Sequence, residues 1–256
     1  MAKWLILYYR PTTLFTLKMT HATSSGGKTL LVPSPYSFKM ALVDAAIRAG
    51  NIDSGKQVFE WVKDKTILFS PPKRAVVTNT FIKVLRKREI KNVDKNPVIA
   101  EQQRKFLASN PFQSTIVYRE FCYYHGDLSV AIDVELLSGE AEEKIKVAGA
   151  HINYLGKRGS FVQYLNWEVK ESLPGLYTLP ANALPEGPAL FGMGHFLDDL
   201  GSFDAKDLFD RVNTYSDKKL ELNKHRVLVH HLLPYRQGKS SRGYTEYIRC
   251  DLVKGE

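Results

Sequence analysis

The hydrophobic positions in the first 170 residues predict short strands separated by helices. Residues 3–10 (KWLILYYR) place apolar or aromatic side chains on both faces of a strand. Residues 66–70 and 75–85 predict two further strands on either side of a Pro71-Pro72 turn. Residues 160–169 (SFVQYLNWEV) predict another strand after a glycine-bounded loop. The pattern is that of a sheet with well-filled core positions.

The first helix has the clearest local signals. Ser34 is a good N-cap, Pro35 suits the first helical position, and Gly50 suits the position just past the end. Apolar residues repeat at helical spacing between these limits. A second, shorter helix is predicted over residues 56–64 and a charged amphipathic helix over residues 140–150.

The periodicity fails at Arg86, and residues 86–113 are polar and basic, with one short helix expected around residues 99–107. A tract this long without a core pattern is usually a functional protrusion or disordered. Strand patterns resume at residues 115–124 and 128–137, and His125-Gly126-Asp127 between them predicts a hairpin.

The last third of the chain begins with a segment rich in proline and glycine, residues 172–195, which we interpret as a loop or linker. It leads to a predicted hairpin of residues 226–233 and 244–252 around a basic tip. The chain is therefore expected to have one domain over residues 1–170 and a smaller β-rich region over residues 171–256.

The order of elements predicts an α+β fold, with an antiparallel sheet and helices on one face, in the ferredoxin-like or RRM-like (RNA-recognition) manner. Such sheets bind RNA through aromatic and basic residues on an open face.

Charge is unevenly distributed along the 256 residues. Residues 1–119 hold 20 Lys and Arg against 7 Asp and Glu, whereas residues 120–256 hold 16 against 20. A concentration of positive charge among Tyr, Phe and Trp favours a polyanionic partner, with nucleic acid first, over a merely soluble basic surface. No apolar run approaches the length of a membrane span, and the two cysteines fit a reducing compartment, so we expect a soluble cytoplasmic protein that does not bind membranes.

Common catalytic and cofactor motifs are absent from the sequence. Gly27-Lys28-Thr29 resembles the end of a phosphate-binding loop, but Ala22 stands where the first glycine is required. The seven histidines form no metal-binding arrangement, and no nucleophile elbow occurs. We therefore expect no metal and no cofactor.

Three groups of residues are candidates for RNA contacts. The start of the first helix offers backbone N–H groups and a lysine, although a solvated helix face explains the lysine equally well. Residues 73–105 carry ten basic residues against three acidic ones. The loop of residues 156–159 places basic side chains between glycines, which also suits a plain turn. The predicted contacts in these three groups are Ser34, Tyr36, Lys39, Lys73, Arg74, Arg86, Lys87, Arg88, Lys91, Arg104, Lys105, Lys157 and Arg158.

Several motifs occur in an order that resembles a known family. They are the PSPYSFK segment opening the helix at residue 35, the YREF strand at residues 118–121 after a basic insertion, and the YLGKRG segment at residues 154–159 after a helix. Together they resemble the Cas-five family of CRISPR-associated RAMP proteins, over about residues 1–170. The resemblance implies a non-catalytic subunit of a type I Cascade surveillance complex that holds the 5′ handle of the CRISPR RNA.

The resemblance also implies which parts of the chain have these roles. Residues 86–113 would be a thumb-like insertion that packs against the repeated backbone subunit. The start of the first helix, Arg119 and the loop of residues 156–159 would form the handle site. The implied partners are CRISPR RNA, the backbone and large subunits, and target DNA within the complex.

Two alternatives remain. One branch of the family cleaves precursor CRISPR RNA without metal, using a Tyr, a Lys and a His, and Tyr36, Lys39 and His125 are the residues available here. The Lys-His adjacency expected of that branch is absent, because His125 follows Tyr124. The cluster of Tyr123, Tyr124 and His125 is the other place where a general base could lie. The second alternative is an unrelated single-domain RNA-binding protein. We expect no catalytic residues.

Overall fold

The computed structural model describes residues 2–20, 26–89, 95–183, 192–201, 207–213 and 216–250. Its strands are, in chain order, β1 (Trp4–Pro11), β2 (Gly26–Gly27), β3 (Ile67–Ser70), β4 (Arg74–Lys87), β5 (Phe112–His125), β6 (Leu128–Asp133), β7 (Val162–Lys170), β8 (Leu179–Pro180), β9 (Met193–Leu200), β10 (Arg226–Leu233), β11 (Tyr235–Ser240) and β12 (Tyr244–Arg249). Its α-helices are α1 (Pro35–Ala49), α2 (Ile52–Val62), α3 (Pro97–Ser109), α4 (Gly139–Ala150) and α5 (Leu208–Val212).

A four-stranded antiparallel sheet with the order β3-β6-β1-β7 forms the first layer. Helices α1 and α2 connect its first two strands in the chain, and α4 connects its last two. This connectivity and strand order are ferredoxin-like. The predicted α+β fold with an antiparallel sheet is therefore confirmed.

One face of this sheet packs against the helices. Leu5, Leu7 and Tyr9 of β1 point into a core that also contains Phe38 and Leu42 of α1. The rings of Tyr9 and Phe38 meet edge to face, with centroids 6.1 Å apart. All five side chains are fully buried, and burial of each contributes about 1.5–3 kcal/mol. The helix that carries the first predicted site is thus held firmly on the sheet.

The opposite face of the same sheet is not the open aromatic surface that the sequence predicted. Tyr177 is 3% exposed and packs with Ile6 and Leu68 on that face. The segment is fixed at the sheet edge, where the backbone N–H of Thr178 donates to the carbonyl of Phe69 at 2.7 Å. Residues from beyond position 170 therefore cover part of the surface on which an RRM-like sheet would stack bases.

A long hairpin is inserted between β3 and β6. Strands β4 and β5 pair without interruption from Arg74 opposite His125 to Lys87 opposite Phe112, and α3 lies in the connection at the far end. The short helix expected around residues 99–107 is confirmed as α3. The pairing continues beyond Arg86, where the sequence pattern failed, because the exposed end of the hairpin has no core to impose alternation.

The hairpin predicted around His125-Gly126-Asp127 is wrong. Strand β5 pairs with β4 and β2, whereas β6 pairs with β1 and β3 in the other sheet. Gly126 has a φ of 120°, which a glycine adopts at least cost, and it turns the chain from one sheet to the other. The local turn signal was correct, but it does not show which strands pair.

The predicted C-terminal hairpin is also wrong. Strand β10 pairs with β8 and β9, while β12 pairs with β11 and β4. The result is a five-stranded sheet with the order β11-β12-β4-β5-β2. Residues on both sides of position 170 share this sheet, and the division of the chain into two regions there stays a prediction.

Among the residues that the structure describes, no helix is both long and apolar enough to cross a membrane.

Candidate nucleic-acid interface

A cleft with a volume of about 480 Å³ lies beside the start of α1. One wall is formed by Tyr36 and Ser37 of the first helical turn, and another by Gly156 and Lys157 of the loop before β7. Lys18, which is bridged to Thr29 on the neighbouring segment, lines it as well. The structure thus brings together the helix start and the loop of residues 156–159, which are far apart in the sequence.

Gly156 gives the loop its close approach to the cleft wall. Its φ is 71°, and a Cβ atom at this position would stand 2.8 Å from a methyl carbon of Leu17. A side chain here would therefore be strained by its backbone and would displace Leu17. The glycine positions Lys157 at the cleft, while Arg158 is exposed and is not part of the lining.

The charged side chains that line the cleft are four cations and two carboxylates: Lys18, Arg48, Lys157, Arg226, Asp44 and Asp198. Arg48 donates to Asp44 at 2.8 Å, and Arg226 forms an ion pair with Asp198. Lys18 and Lys157 are exposed and have no acidic partner within the described parts of the chain. The cleft therefore presents two ammonium groups that a phosphate can neutralise.

The backbone of the α1 start is less available than the sequence suggested. The N–H of Ser34 donates to Ser37 Oγ at 3.1 Å and that of Ser37 to Ser34 Oγ at 3.2 Å, which is a complete capping box. The N–H of Phe38 donates to the Ser34 carbonyl, and Pro35 has none. Among the described residues, only Tyr36 keeps a free N–H in this turn. Ser34 acts as the cap of the helix, because its N–H and its hydroxyl both bond to Ser37.

Lys39 is not available to an external phosphate, and it is not on a solvated helix face. Its side chain is 1% exposed, and its ammonium donates to Asp199 Oδ1 at 2.7 Å and to the Lys63 carbonyl at 2.8 Å. Burial raises the pKa of the Asp199 carboxyl, and the attraction of Lys39 opposes that rise. Lys39 joins α1 to β9, so the prediction that it contacts RNA is wrong.

Arg226 was missed by the sequence analysis. It lies on β10, in the C-terminal region, and its guanidinium stands over the Tyr36 ring at 4.6 Å from the centroid. It also donates to Thr20 Oγ1 at 3.2 Å. Burial raises the pKa of Tyr36, so its ring acts as a neutral wall of the cleft. No local signal identifies Arg226, because its partners are distant in the sequence.

Arg119 lies near the cleft but does not line it. It is on β5 opposite Gly27 of β2, where a Cβ on Gly27 would stand 3.0 Å from Arg119 Cδ. The Arg119 Nε is buried and has no hydrogen-bond acceptor within the described ranges. The handle site predicted from the helix start, Arg119 and the 156–159 loop is thus brought together in part.

The basic residues of positions 73–105 are spread along the inserted hairpin. Lys73 and Arg74 lie at its base, whereas Arg86, Lys87 and Arg88 lie at its far end, roughly 40 Å away for an extended strand. Arg104 and Lys105 are exposed on α3, and Arg88 stands 5.1 Å from the Phe106 ring centroid. Lys91 falls outside the described residues. These cations cannot all contact one short segment of RNA.

The cluster of Tyr123, Tyr124 and His125 is divided between the two faces of β5. Tyr124 is 4% exposed and packs edge-on against Phe15 in the core. Burial raises the pKa of the Tyr124 hydroxyl well above its ordinary value. Tyr123 and His125 are exposed on the opposite face. The three side chains therefore do not form one site.

Comparison with known proteins gives one clear sequence relative. The chain is 26% identical over 218 residues to the CRISPR-associated protein Cas5 of Archaeoglobus fulgidus, covering 84% of this chain and 86% of that protein. No family model matches. This homology over most of the chain confirms the resemblance to the Cas-five family.

Two solved structures are similar in outline. A crystal structure of a CRISPR protein from Archaeoglobus fulgidus matches 96% of this chain and 92% of its own, with 13% identity and a TM-score of 0.46. A chain of a CRISPR RNA-guided surveillance complex matches 98% of this chain and 93% of its own, with 15% identity and a TM-score of 0.39. Both TM-scores are below 0.5, so these likenesses add nothing to the sequence homology.

Proposed function

Starting from the homology to a CRISPR-associated Cas5 protein, we propose that this chain is a non-catalytic RNA-binding subunit of a cytoplasmic type I Cascade complex. The cleft beside the start of α1 holds the 5′ handle of the CRISPR RNA. The backbone and large subunits, and target DNA within the assembled complex, are its other partners. The observation that carries this proposal is that two lysines, Lys18 and Lys157, line one cleft and have no acidic partner among the residues that the structure describes.

The cleft suits a nucleotide segment better than a small neutral ligand. Its volume of about 480 Å³ is within the range of ligand pockets, and its wall includes the Tyr36 ring held by Arg226. The ion pairs of Arg48 and Arg226 keep two carboxylates neutralised, so the remaining positive charge comes from the two lysines. Phosphates between these lysines would be bound with strong dependence on salt.

The inserted hairpin is proposed to join the chain to a neighbouring backbone subunit. Beyond the body of the protein its surface exposes large apolar side chains, with Phe81 74%, Leu85 67% and Ile116 73% exposed. Lys83 and Lys87 lie on the same face, because residues two apart on a strand share a face. An exposed apolar strip edged with cations is typical of a surface that becomes buried in a complex.

A nuclease role is disfavoured by the position of Lys39. In this chain, the residues available for the catalytic roles of the RNA-cleaving branch are Tyr36, Lys39 and His125. Lys39 is buried and already donates to Asp199 and the Lys63 carbonyl. It cannot stabilise charge developing on a phosphate at the surface without breaking both interactions.

Repeat-RNA affinity tests the cleft directly. Lys18→Glu and Lys157→Glu should each weaken binding at least tenfold at 100 mM salt, because each replaces a phosphate partner by a like charge. Lys157→Ala should lower the slope of log affinity against log salt by about 0.7, the value for one contact to a single strand. Fluorescence anisotropy with labelled repeat RNA measures both quantities.

Lys56→Glu is the matched control, since Lys56 is an exposed lysine on α2 outside the cleft lining. Its affinity should stay within twofold of the wild type. Equal losses for Lys56→Glu and Lys157→Glu would show non-specific charge binding and contradict the assignment.

The non-catalytic role is tested by incubating repeat RNA with the wild-type protein in EDTA and analysing the RNA on a gel. Cleavage at one phosphate that His125→Ala abolishes would contradict this role.

A further inference from the structure

The five-stranded sheet has a second face that the handle cleft does not use. Its inner face buries Ala75, Val77, Cys122 and Tyr124 in the core. Alternation along the strands directs the intervening residues to the outer side. The paired registers place these outer residues in rows across β12, β4 and β5: Ile248, Arg74 and His125; Glu246, Val76 and Tyr123; Tyr244, Thr78 and Phe121.

Three aromatic side chains on this side are exposed at least in part. Tyr123 is 50% exposed, Tyr244 is 38% exposed, and Phe121 is half-buried beside them. Phe121 and Tyr123 are two residues apart on one strand, about 7 Å, and Tyr244 lies in the row of Phe121, roughly 10 Å away across two strand spacings. We call Phe121, Tyr123 and Tyr244, with Arg74, Arg119 and Arg236, the outer aromatic face.

The charge on the outer aromatic face is positive. Arg236 pairs in register with Ile248, Arg74 with His125, and Arg119 with Thr80, so all three arginines belong to the same side of the sheet. The carboxylate among them is Glu246, which stands 3.8 Å from the Arg74 guanidinium. Aromatic rings between cations fit the bases and phosphates of a single nucleic-acid strand.

Backbone pairing connects the outer aromatic face to the edge of the handle cleft. Arg119 pairs with Gly27, and Thr29 two residues later is bridged to Lys18, which lines the cleft. A path therefore runs from Lys18 through Arg119 to Phe121 and Tyr123 along β5. The buried Arg119 Nε without an acceptor, among the residues described, lies on this path.

We propose that the outer aromatic face binds a single strand of RNA by stacking its bases on Phe121, Tyr123 and Tyr244, with the arginines neutralising its phosphates. This site is separate from the cleft, although the choice of RNA as occupant rests on the proposed function. Stacking of this kind tolerates any base sequence, so the face would hold RNA that continues from the handle whatever its sequence.

The test uses labelled U12 RNA and the Lys157→Glu background, in which the cleft is impaired. Adding Tyr123→Ala should weaken U12 binding by about 5- to 160-fold, the loss expected for one stacked base. Tyr123→Phe should stay within twofold of the background, because the ring is kept. Phe196→Ala, which removes a 52% exposed aromatic side chain on β9 in a different sheet, should also leave binding unchanged.

Three results would overturn the proposal. One is equal affinity of the background and Tyr123→Ala, and another is tighter binding of dT12 than of U12, which would assign the face to DNA. The third is a wild-type dimer in sedimentation that Tyr123→Ala dissociates, which would make the face a protein interface. The proposed function fails separately, if Lys157→Glu in the otherwise wild-type chain leaves the affinity for repeat RNA unchanged.

Discussion

At the scale of single residues, Lys39 shows how burial changes the role of a charged side chain. The sequence places it one turn into a helix, where a cation is unfavourable without an anion. The structure supplies that anion from β9, since Asp199 lies 2.7 Å from the buried ammonium. A residue that resembles an RNA contact is instead an internal link between α1 and β9.

Lys39→Met should therefore destabilise the protein by about 3 kcal/mol, because it leaves Asp199 without its cationic partner. The double variant Lys39→Met/Asp199→Leu should recover most of that loss, since it removes both charges. Urea unfolding followed by circular dichroism measures the free energy of unfolding of each variant. A stable Lys39→Met protein that has lost affinity for repeat RNA would contradict the structural role of Lys39 and would show that this residue contacts RNA.

Residue-level predictions succeeded where the determining contacts are local. Ser34, Pro35 and Gly50 mark the ends of α1 through interactions within four residues, and the structure has the helix between them. Lys157 reaches the cleft because Gly156 bends the loop, which the glycines predicted. Arg226 and the burial of Lys39 depend on partners more than 150 positions away, and no window of sequence contains both members of such a pair.

At the scale of elements, β9 and β10 form a pair that brings two histidines together. His231 on β10 is 3% exposed and lies in register with His195 on β9. Burial, and then the neighbouring His230, lower the pKa of His231 to about 4. The folded protein therefore holds this imidazole neutral at pH values where the unfolded chain protonates it.

Stability should fall as the pH is lowered from about 7 to 4, because the unfolded state then binds the additional proton. For a pKa of about 4 against an ordinary 6.5, the loss at pH 5 is about 2 kcal/mol. His231→Phe should remove that part of the pH dependence, whereas His151→Gln, at an exposed histidine after α4, should keep it. Urea unfolding at pH 7 and pH 5 compares the variants, and identical pH dependence of His231→Phe and wild type would refute the explanation.

Strand existence was predictable at this scale, but strand pairing was not. The strands predicted at residues 115–124 and 226–233 are present, because alternation and turn residues are local, and the one predicted at residues 128–137 is present but ends at Asp133. The partners of β5, β6, β10 and β12 are selected by the way in which three sheets pack together. A Gly126 turn is equally compatible with a hairpin and with the crossing between sheets that the structure has.

At the scale of the whole molecule, the chain passes from the ferredoxin-like sheet to the second sheet at Pro71-Pro72 and returns at Gly126. The inserted hairpin between these crossings projects beyond the core, and α3 at its end has no buried residue. The N–H of Arg88 donates to the Pro111 carbonyl at 2.9 Å and closes the pairing below the helix. The end of the hairpin is thus separable from the fold.

Replacing residues 89–110 by a short Gly-Ser turn should leave a folded protein, with a melting temperature within about 4 °C of the wild type. The variant should co-purify less well with the backbone subunit, because it removes the end of the inserted hairpin, while the exposed strip of Phe81, Leu85 and Ile116 that we also propose for docking remains. Calorimetry and affinity purification measure the two effects. Loss of folding would place α3 in the core, and unchanged co-purification would remove this segment from the interface.

We propose above all that the cleft holds the 5′ handle of CRISPR RNA. The most direct measurement is to express the chain with a CRISPR array and its partner subunits, isolate the complex, crosslink it, and identify the RNA positions joined to Lys157. We expect crosslinks confined to the repeat-derived nucleotides at the 5′ end, and we expect Lys157→Glu to abolish them. Crosslinks distributed over the spacer, or unrelated cellular RNA at Lys157, would contradict it.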